Sequence, residues 1–99
     1  MIKIKNLEVS QPYEEWDIDV DNSILYNPFE FEKEEDRNKA CDDYQNYFDD
    51  NMLIDVKFKN EVARIRNIYK AYGHLNLFCW CWPKRCHAET IKRWIEENS

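Results

Sequence analysis

Glycine and proline are scarce in this chain of 99 residues, which contains one glycine and three prolines. Collagen-like repeats need glycine at every third position, and flexible linkers are rich in glycine and serine, so both classes are excluded. The glycine-rich loops that bind phosphate groups in P-loop and Rossmann proteins are excluded for the same reason. An ordinary folded domain is the class that fits this composition.

Long apolar runs are missing as well. No stretch approaches the roughly 20 residues that a transmembrane helix needs, so we expect no membrane association. Residues Met1–Ser10 lack the basic-then-apolar pattern of a signal peptide, and we therefore expect a cytoplasmic protein. Cysteines stay reduced in that compartment, which makes a structural disulfide the least favoured use of the four cysteines.

The chain does contain enough apolar material for a folded core. Hydrophobic residues make up 43% of it and aromatic residues 15%, whereas disordered chains are poor in both. A length of about 100 residues is typical of one domain, and no repeat or linker divides the sequence. We therefore predict a single domain over residues 1–99.

Charge is divided unevenly between the two halves. The formal net charge is −6, but residues 1–55 carry 5 basic and 16 acidic side chains, a net of −11, and residues 56–99 carry 9 basic and 4 acidic ones, a net of +5. The simplest interpretation is that both sets form solvated faces. The acidic half makes direct nucleic-acid binding an unexpected function, while the basic half could hold a phosphate or carboxylate.

Hydrophobic periodicity predicts the elements. Ile2, Ile4, Leu7 and Val9 indicate an opening strand, and apolar residues at period two indicate further strands near residues 16–20 and 75–81. Apolar stripes at helical spacing predict helices near residues 34–49, 58–72 and 88–97. The order β-β-α-α-β-α predicts a small α/β sandwich with a short, central last strand followed by a C-terminal helix.

Residues 79–87, CWCWPKRCH, are the most distinctive part of the chain, and we call them the Cys-His segment. They contain three of the four cysteines and one of the two histidines. Metal binding is one interpretation, because Cys79, Cys81, Cys86 and His87 are all residue types that bind zinc. The adjacent pair Cys86-His87 is an awkward spacing for two ligands of one ion.

Two other chemistries fit the Cys-His segment, as does a purely structural role. Cys86 and His87 are catalytic candidates, because a cysteine at a helix N-terminus beside basic residues is expected to have a lowered pKa. Lys84, Arg85 and His87, together with the same helix N-terminus, could instead hold an anion. The structural alternative is that the cysteines are small apolar core residues.

The chain resembles a domain-of-unknown-function family common in bacteriophage genomes. The resemblance rests on Asn27-Pro28-Phe29, on a helix bearing Tyr44, and on the closing segment LNLFCWCWPKRCHAETI at residues 75–91, and it spans about residues 16–97. It implies a small α/β domain, encoded by a phage and acting in the host cytoplasm. Family members usually have Gly-Arg at the positions of Val20-Asp21, so this chain has a reversed charge there.

These observations lead to three functional hypotheses. The first is a domain that binds or processes a small anionic ligand, nucleotide-derived or of another kind, near Asn27, Lys84, Arg85 and His87. The second is a phage interaction protein that blocks a host factor through its acidic N-terminal half. The third is a structural zinc knuckle built on the Cys-His segment. Whether the protein is an enzyme is left open by the sequence.

Overall fold

Three strands and three helices follow one another in the predicted order β-β-α-α-β-α. The computed structural model describes residues 1–99. Its strands are β1 (Ile2–Asn6), β2 (Asp17–Asp19) and β3 (Leu75–Cys79), and its helices are α1 (Arg37–Ile54), α2 (Val56–Tyr72) and α3 (Ala88–Glu97). A single 3-10 turn at Glu34–Asp36 leads into α1. None of the helices has the length and apolar character needed to cross a membrane.

The strands form one parallel sheet in the order β1-β3-β2. The last strand is therefore central, as predicted. Leu77 lies opposite Ile4 of β1 and Ile18 of β2, and all three side chains are buried. The same face of the sheet packs against the helices, while Lys3 and Asp17 lie on the other face, so side chains alternate as period-two strands require.

Several element boundaries differ from the predicted ones. The last strand ends at Cys79 and not at Cys81, because the Cys81 carbonyl accepts from the Lys84 amide and closes a turn. The first strand ends at Asn6 and not near Val9, because the Asn6 carbonyl accepts hydrogen bonds from the amides of Val9 and Ser10 and closes a turn. Helix α1 continues to Ile54, beyond the predicted end near residue 49. It stops there because Asp55 is extended and its carboxylate caps α2 by accepting from two backbone amides.

Helix α2 has the predicted inward stripe over its first half. Phe58, Val62 and Ile65 are fully buried, and the Phe58 ring meets Phe48 of α1 with centroids 5.5 Å apart. The stripe weakens toward Tyr72, which is 41% exposed. Gly73 then ends the helix at φ 75°, the left-handed conformation that glycine adopts without a steric penalty, as its position predicted.

Candidate functional site

A cleft of about 340 Å³ opens at the carboxyl ends of β2 and β3. Its walls come from the segments that follow these strands, from the loop before α1 and from the first turns of α1. Open parallel sheets bind ligands at this edge. The lining residues are Asp21, Asn27, Phe29, Glu30, Phe31, Arg37, Cys41, Trp80, Cys81, Arg85, Cys86 and His87.

Most of the site residues proposed from the sequence meet at this cleft. Asn27, Arg85, Cys81, Cys86 and His87 all line it. The two exceptions lie close by. Cys79 is buried behind Cys86, and Lys84 projects into solvent with its Nζ 3.7 Å from a carboxylate oxygen of Glu34.

Cys79 and Cys86 form a buried thiol pair with their sulfur atoms 3.0 Å apart. The contact with Cys86 and the backbone amides of Trp82 and Cys81 lower the pKa of Cys79. The contact with Cys79 and burial together raise the pKa of the Cys86 thiol. This direction is opposite to the one expected from its place before α3, because the partner sulfur outweighs the helix N-terminus.

Cys81 is the thiol that the cleft exposes. It is partly accessible, whereas Cys41, Cys79 and Cys86 are buried. Arg37 lines the same cleft, and the nearby Cys81 side chain contributes to the raised pKa of its guanidinium. Cys81 is therefore more accessible to a reagent in the cleft than Cys86.

Arg37 is the functional candidate that the sequence reasoning missed. Its Nε and Nη2 donate to the two carboxylate oxygens of Glu34 at 2.6 and 3.0 Å, and its Nη1 donates to the Arg85 carbonyl at 3.1 Å. Its guanidinium carbon lies 4.8 Å from the centroid of the Phe31 ring. The only sequence signal was one arginine directly after the acidic turn Glu34–Asp36, which by itself predicts a helix start and not a site.

Arg85 joins the Cys-His segment to helix α1. Its Nη2 donates to the Asp42 carboxylate at 2.7 Å, and its Nη1 donates to the backbone and side-chain oxygens of Asn38. The Asp42 contact raises the pKa of Arg85. Glu34 and Asp42 are not among the lining residues of the cleft, and each holds one of the two guanidinium groups in an ion pair.

His87 is a buried, neutral residue. Its Nε2 lies 3.2 Å from the Val20 carbonyl oxygen. Because a carbonyl can only accept, Nε2 carries the proton and Nδ1 is an acceptor. Burial lowers the pKa of His87 despite Asp21 at 3.5 Å, and the Tyr44 ring packs edge-on against the imidazole at 5.0 Å.

The neutral state of His87 predicts a pH dependence of stability. An unfolded chain carries a histidine with a pKa near 6.5, whereas the folded value is lower. Below pH 6.5 the unfolded chain binds a proton that the folded protein does not, so stability falls as the pH drops toward the folded pKa. Urea unfolding between pH 8 and pH 5 measures this. We expect His87→Gln to make the free energy of unfolding depend less steeply on pH. The control His74→Gln, which changes an exposed histidine, should keep the pH dependence of the unmodified protein.

A finding that all three proteins have the same slope over this range would contradict a neutral, buried His87. Carboxylates with lowered pKa values, such as Asp17 and Glu34, act at lower pH because their reference values are 3.8 and 4.5. Their contribution is therefore separable from that of the histidine.

No three His, Cys, Asp or Glu side chains are grouped as metal ligands. Zinc–sulfur distances of ~2.3 Å keep the ligand sulfurs of one ion well apart. The 3.0 Å contact between Cys79 and Cys86 is closer than two zinc ligands would lie. Zinc binding by Cys79, Cys81, Cys86 and His87 stays a prediction.

One comparison with known proteins bears on this cleft. The family described as "Domain of unknown function (DUF4326)" matches residues 3–97. The chain belongs to this family. No curated protein and no solved structure matches the chain. In this DUF4326 domain the matched residues contain the whole lining of the cleft, so the cleft lies within the family domain.

The unequal exposure of the four cysteines of this DUF4326 domain predicts their reactivity. In the native protein we expect one cysteine, Cys81, to react with a small thiol reagent at least about ten times faster than the other three, which react only when the fold opens locally. Peptide mapping after timed alkylation identifies the modified residue. Equal labelling of all four cysteines in folded protein would contradict the buried positions, and Cys81→Ser supplies the control that removes the fast phase.

Proposed function

We propose that this DUF4326 domain binds a small anionic, nucleotide-derived ligand in the cleft between the Cys-His segment and helix α1. The observation that carries the proposal is the placement of two guanidinium groups, Arg37 and Arg85, beside aromatic side chains in one cleft at the carboxyl edge of a parallel sheet.

The two arginines supply the anion-binding part. Each is oriented by a carboxylate and by backbone or side-chain oxygens, and neither uses all of its five donors in these contacts. Guanidinium groups bind phosphate oxygens through paired, charge-assisted hydrogen bonds. Each guanidinium group already pairs with one carboxylate that holds it in place. A phosphate in the cleft would be its second anionic partner.

The other walls suit a base and a sugar. Phe29, Phe31 and Trp80 provide aromatic surface on which a base can stack. Asp21 and Glu30 place carboxylates in the same cleft, where they can accept hydrogen bonds from ribose hydroxyls. These carboxylates also limit the negative charge that the cleft tolerates, so we favour a nucleoside monophosphate over a triphosphate.

Binding is tested by calorimetry and thermal unfolding with the four ribonucleoside monophosphates and their parent nucleosides. We expect at least one monophosphate to raise the unfolding temperature and its nucleoside to do so less. Arg37→Met should weaken that binding about 10- to 100-fold, the loss of one or two charge-assisted hydrogen bonds. Arg64→Met is the matched control, because Arg64 forms an i, i+3 ion pair with Glu61 on the surface of α2.

The absence of binding by all eight compounds overturns the proposal. Equal affinity for a nucleoside and its monophosphate overturns the anionic part alone. If Arg37→Met and Arg64→Met lose equal amounts of affinity for the monophosphate, Arg37 does not bind the ligand in the cleft.

A second candidate function is that of a phage protein that blocks a host factor in the host cytoplasm through its acidic N-terminal half. It is supported by Asp17 and Asp19, which lie on the sheet face opposite the helices, and by Asp21, whose carboxylate lines the cleft. Association through these carboxylates should weaken steeply between 50 and 500 mM salt. Salt-insensitive association, or none with host proteins, would exclude it.

The third candidate, a zinc knuckle, is supported by the backbone amides that donate to the sulfurs of Cys79 and Cys86, since such donors stabilise thiolate ligands. Elemental analysis of purified protein decides it. One zinc per chain supports the knuckle, and folded protein without metal excludes it.

A further inference from the structure

Strand β1 leaves one edge of the sheet unpaired, on the side away from the cleft. The Met1 carbonyl accepts from the Leu75 amide, and the Leu7 amide donates to the Cys79 carbonyl. Odd-numbered residues of this strand therefore turn their backbone groups toward β3. Ile2 and Ile4 turn theirs outward, because the N–H and C=O groups of one residue point the same way in a parallel pair.

A groove runs along this edge. Two adjoining hollows, of about 380 and 570 Å³, are lined by residues of β1 on one side and share Trp82 on the other. Pro83 continues the far wall at one end, and Lys92 and Glu96 of α3 continue it at the other. The groove is thus bounded by a free strand edge, an indole ring and a helix.

The groove is basic in an otherwise acidic protein. Lys3, Lys5 and Lys92 line it against a single carboxylate, Glu96. None of these three lysines takes part in an ion pair of the protein. Three ammonium groups beside unpaired backbone donors and acceptors favour an occupant that carries carboxylates on an extended backbone.

We propose that the β1 edge binds an extended acidic peptide segment of a partner protein, which adds to the sheet as a fourth strand. The register fixes the side-chain pattern of that segment. A residue opposite Lys3 or Lys5 lies on the open face beside an ammonium group and is acidic. A residue opposite Ile2 or Ile4 lies on the helix side, packs against Trp82 and the Lys92 stem, and is apolar.

A second copy of the chain is a poorer occupant of this edge. Pairing of β1 with its own copy about a two-fold axis would bring Lys3 and Lys5 of one chain against those of the other. Like charges opposite each other destabilise strand pairs, and lysines on an edge commonly prevent such self-pairing. The same two lysines attract a strand that carries carboxylates.

The probe is a fluorescein-labelled, amidated octapeptide in which valine and glutamate alternate, and binding is measured by fluorescence anisotropy. We expect saturable binding that Lys3→Glu/Lys5→Glu weakens at least about tenfold, while Lys70→Glu, on the exposed face of α2, changes it less than about twofold. A peptide of the same composition with the four valines in one block should bind at least about tenfold more weakly. Such a peptide cannot place all its valines on the helix side of the sheet and all its glutamates on the open face.

Backbone methylation separates strand addition from simple charge attraction. Only alternate residues of an added strand donate to β1. N-methyl groups on the residues that donate to β1 should therefore abolish binding. N-methyl groups on the intervening residues should change the affinity less than about threefold. Equal tolerance of both sets overturns the proposal, as does equal binding of the block peptide.

Two further results would also overturn it. In one, the protein forms a dimer and the octapeptide inhibits this dimerisation. That result would assign the edge to a second copy of the chain. The other is tighter binding of a single-stranded oligonucleotide than of the octapeptide, with the same sensitivity to Lys3→Glu/Lys5→Glu. Loss of nucleotide binding in the cleft would leave this proposal unaffected, because the two sites share no lining residue.

Discussion

Replacing Tyr44 by alanine is expected to lower the free energy of unfolding by about 3–5 kcal/mol, the range for a large aromatic side chain lost from a packed core. Tyr44 is fully buried in α1, and its hydroxyl donates to the Leu25 carbonyl at 2.7 Å. Its ring also packs against His87 and Phe48. The substitution leaves a cavity next to the wall of the cleft, and it leaves the Leu25 carbonyl without its donor.

The hydroxyl and the ring contribute separately, and Tyr44→Phe distinguishes them. That variant keeps the ring and removes the donor, so it should cost about 1–3 kcal/mol, the penalty for a buried polar group left unpaired. Tyr13→Ala is the matched control, because Tyr13 is 90% exposed and its loss should change stability by less than about 0.5 kcal/mol. Urea unfolding measures all three. A Tyr44→Ala cost no greater than that of Tyr13→Ala would contradict the packing described here.

The order and type of the elements could be predicted because local patterns determine them. Phe58, Val62 and Ile65 recur at helical spacing, and Gly73 marks the helix end that it caps in the structure. Boundaries were less predictable where a tertiary or capping contact decides them. The turn at Asn6 and the cap at Asp55 each depend on hydrogen bonds that hydrophobic periodicity does not encode.

The candidate site was predictable in composition but not in its internal roles. The Cys-His segment concentrates rare residue types, so the sequence alone directs attention to it. The direction in which each thiol pKa shifts depends on three-dimensional contacts. Cys86 precedes a helix, yet its contact with Cys79 and its burial reverse the expected direction of its pKa shift.

Arg37 is a residue of the candidate site that the sequence did not indicate. It lies more than 40 residues away from the Cys-His segment in sequence, and its neighbours are acidic, so its simplest sequence interpretation is a surface ion pair. The fold brings it to the carbonyl of Arg85 and to the side chain of Cys81. Proximity of this kind follows from the packing of α1 against the Cys-His segment, which no local pattern reveals.

The central position of β3 leads to the second large effect. We expect Leu77→Ala to lower the free energy of unfolding by about 2–5 kcal/mol, the range for buried leucines. Leu77 is fully buried between Ile4 and Ile18 of the two flanking strands. A shortened side chain therefore leaves a cavity in contact with all three strands, which the surrounding residues can fill only in part.

Leu53→Ala is the control of identical chemistry, because Leu53 lies in the last turns of α1 with 85% of its surface exposed. Alanine and leucine have similar helix propensities, so this change should cost less than about 0.5 kcal/mol. Urea midpoints of both variants and of the unmodified protein give the comparison. A cost below about 1 kcal/mol for Leu77→Ala would mean that β3 does not lie between the other two strands. The cleft at its carboxyl end would then lose its structural basis, because Trp80, Cys81 and Cys86 are placed there by the strand that precedes them.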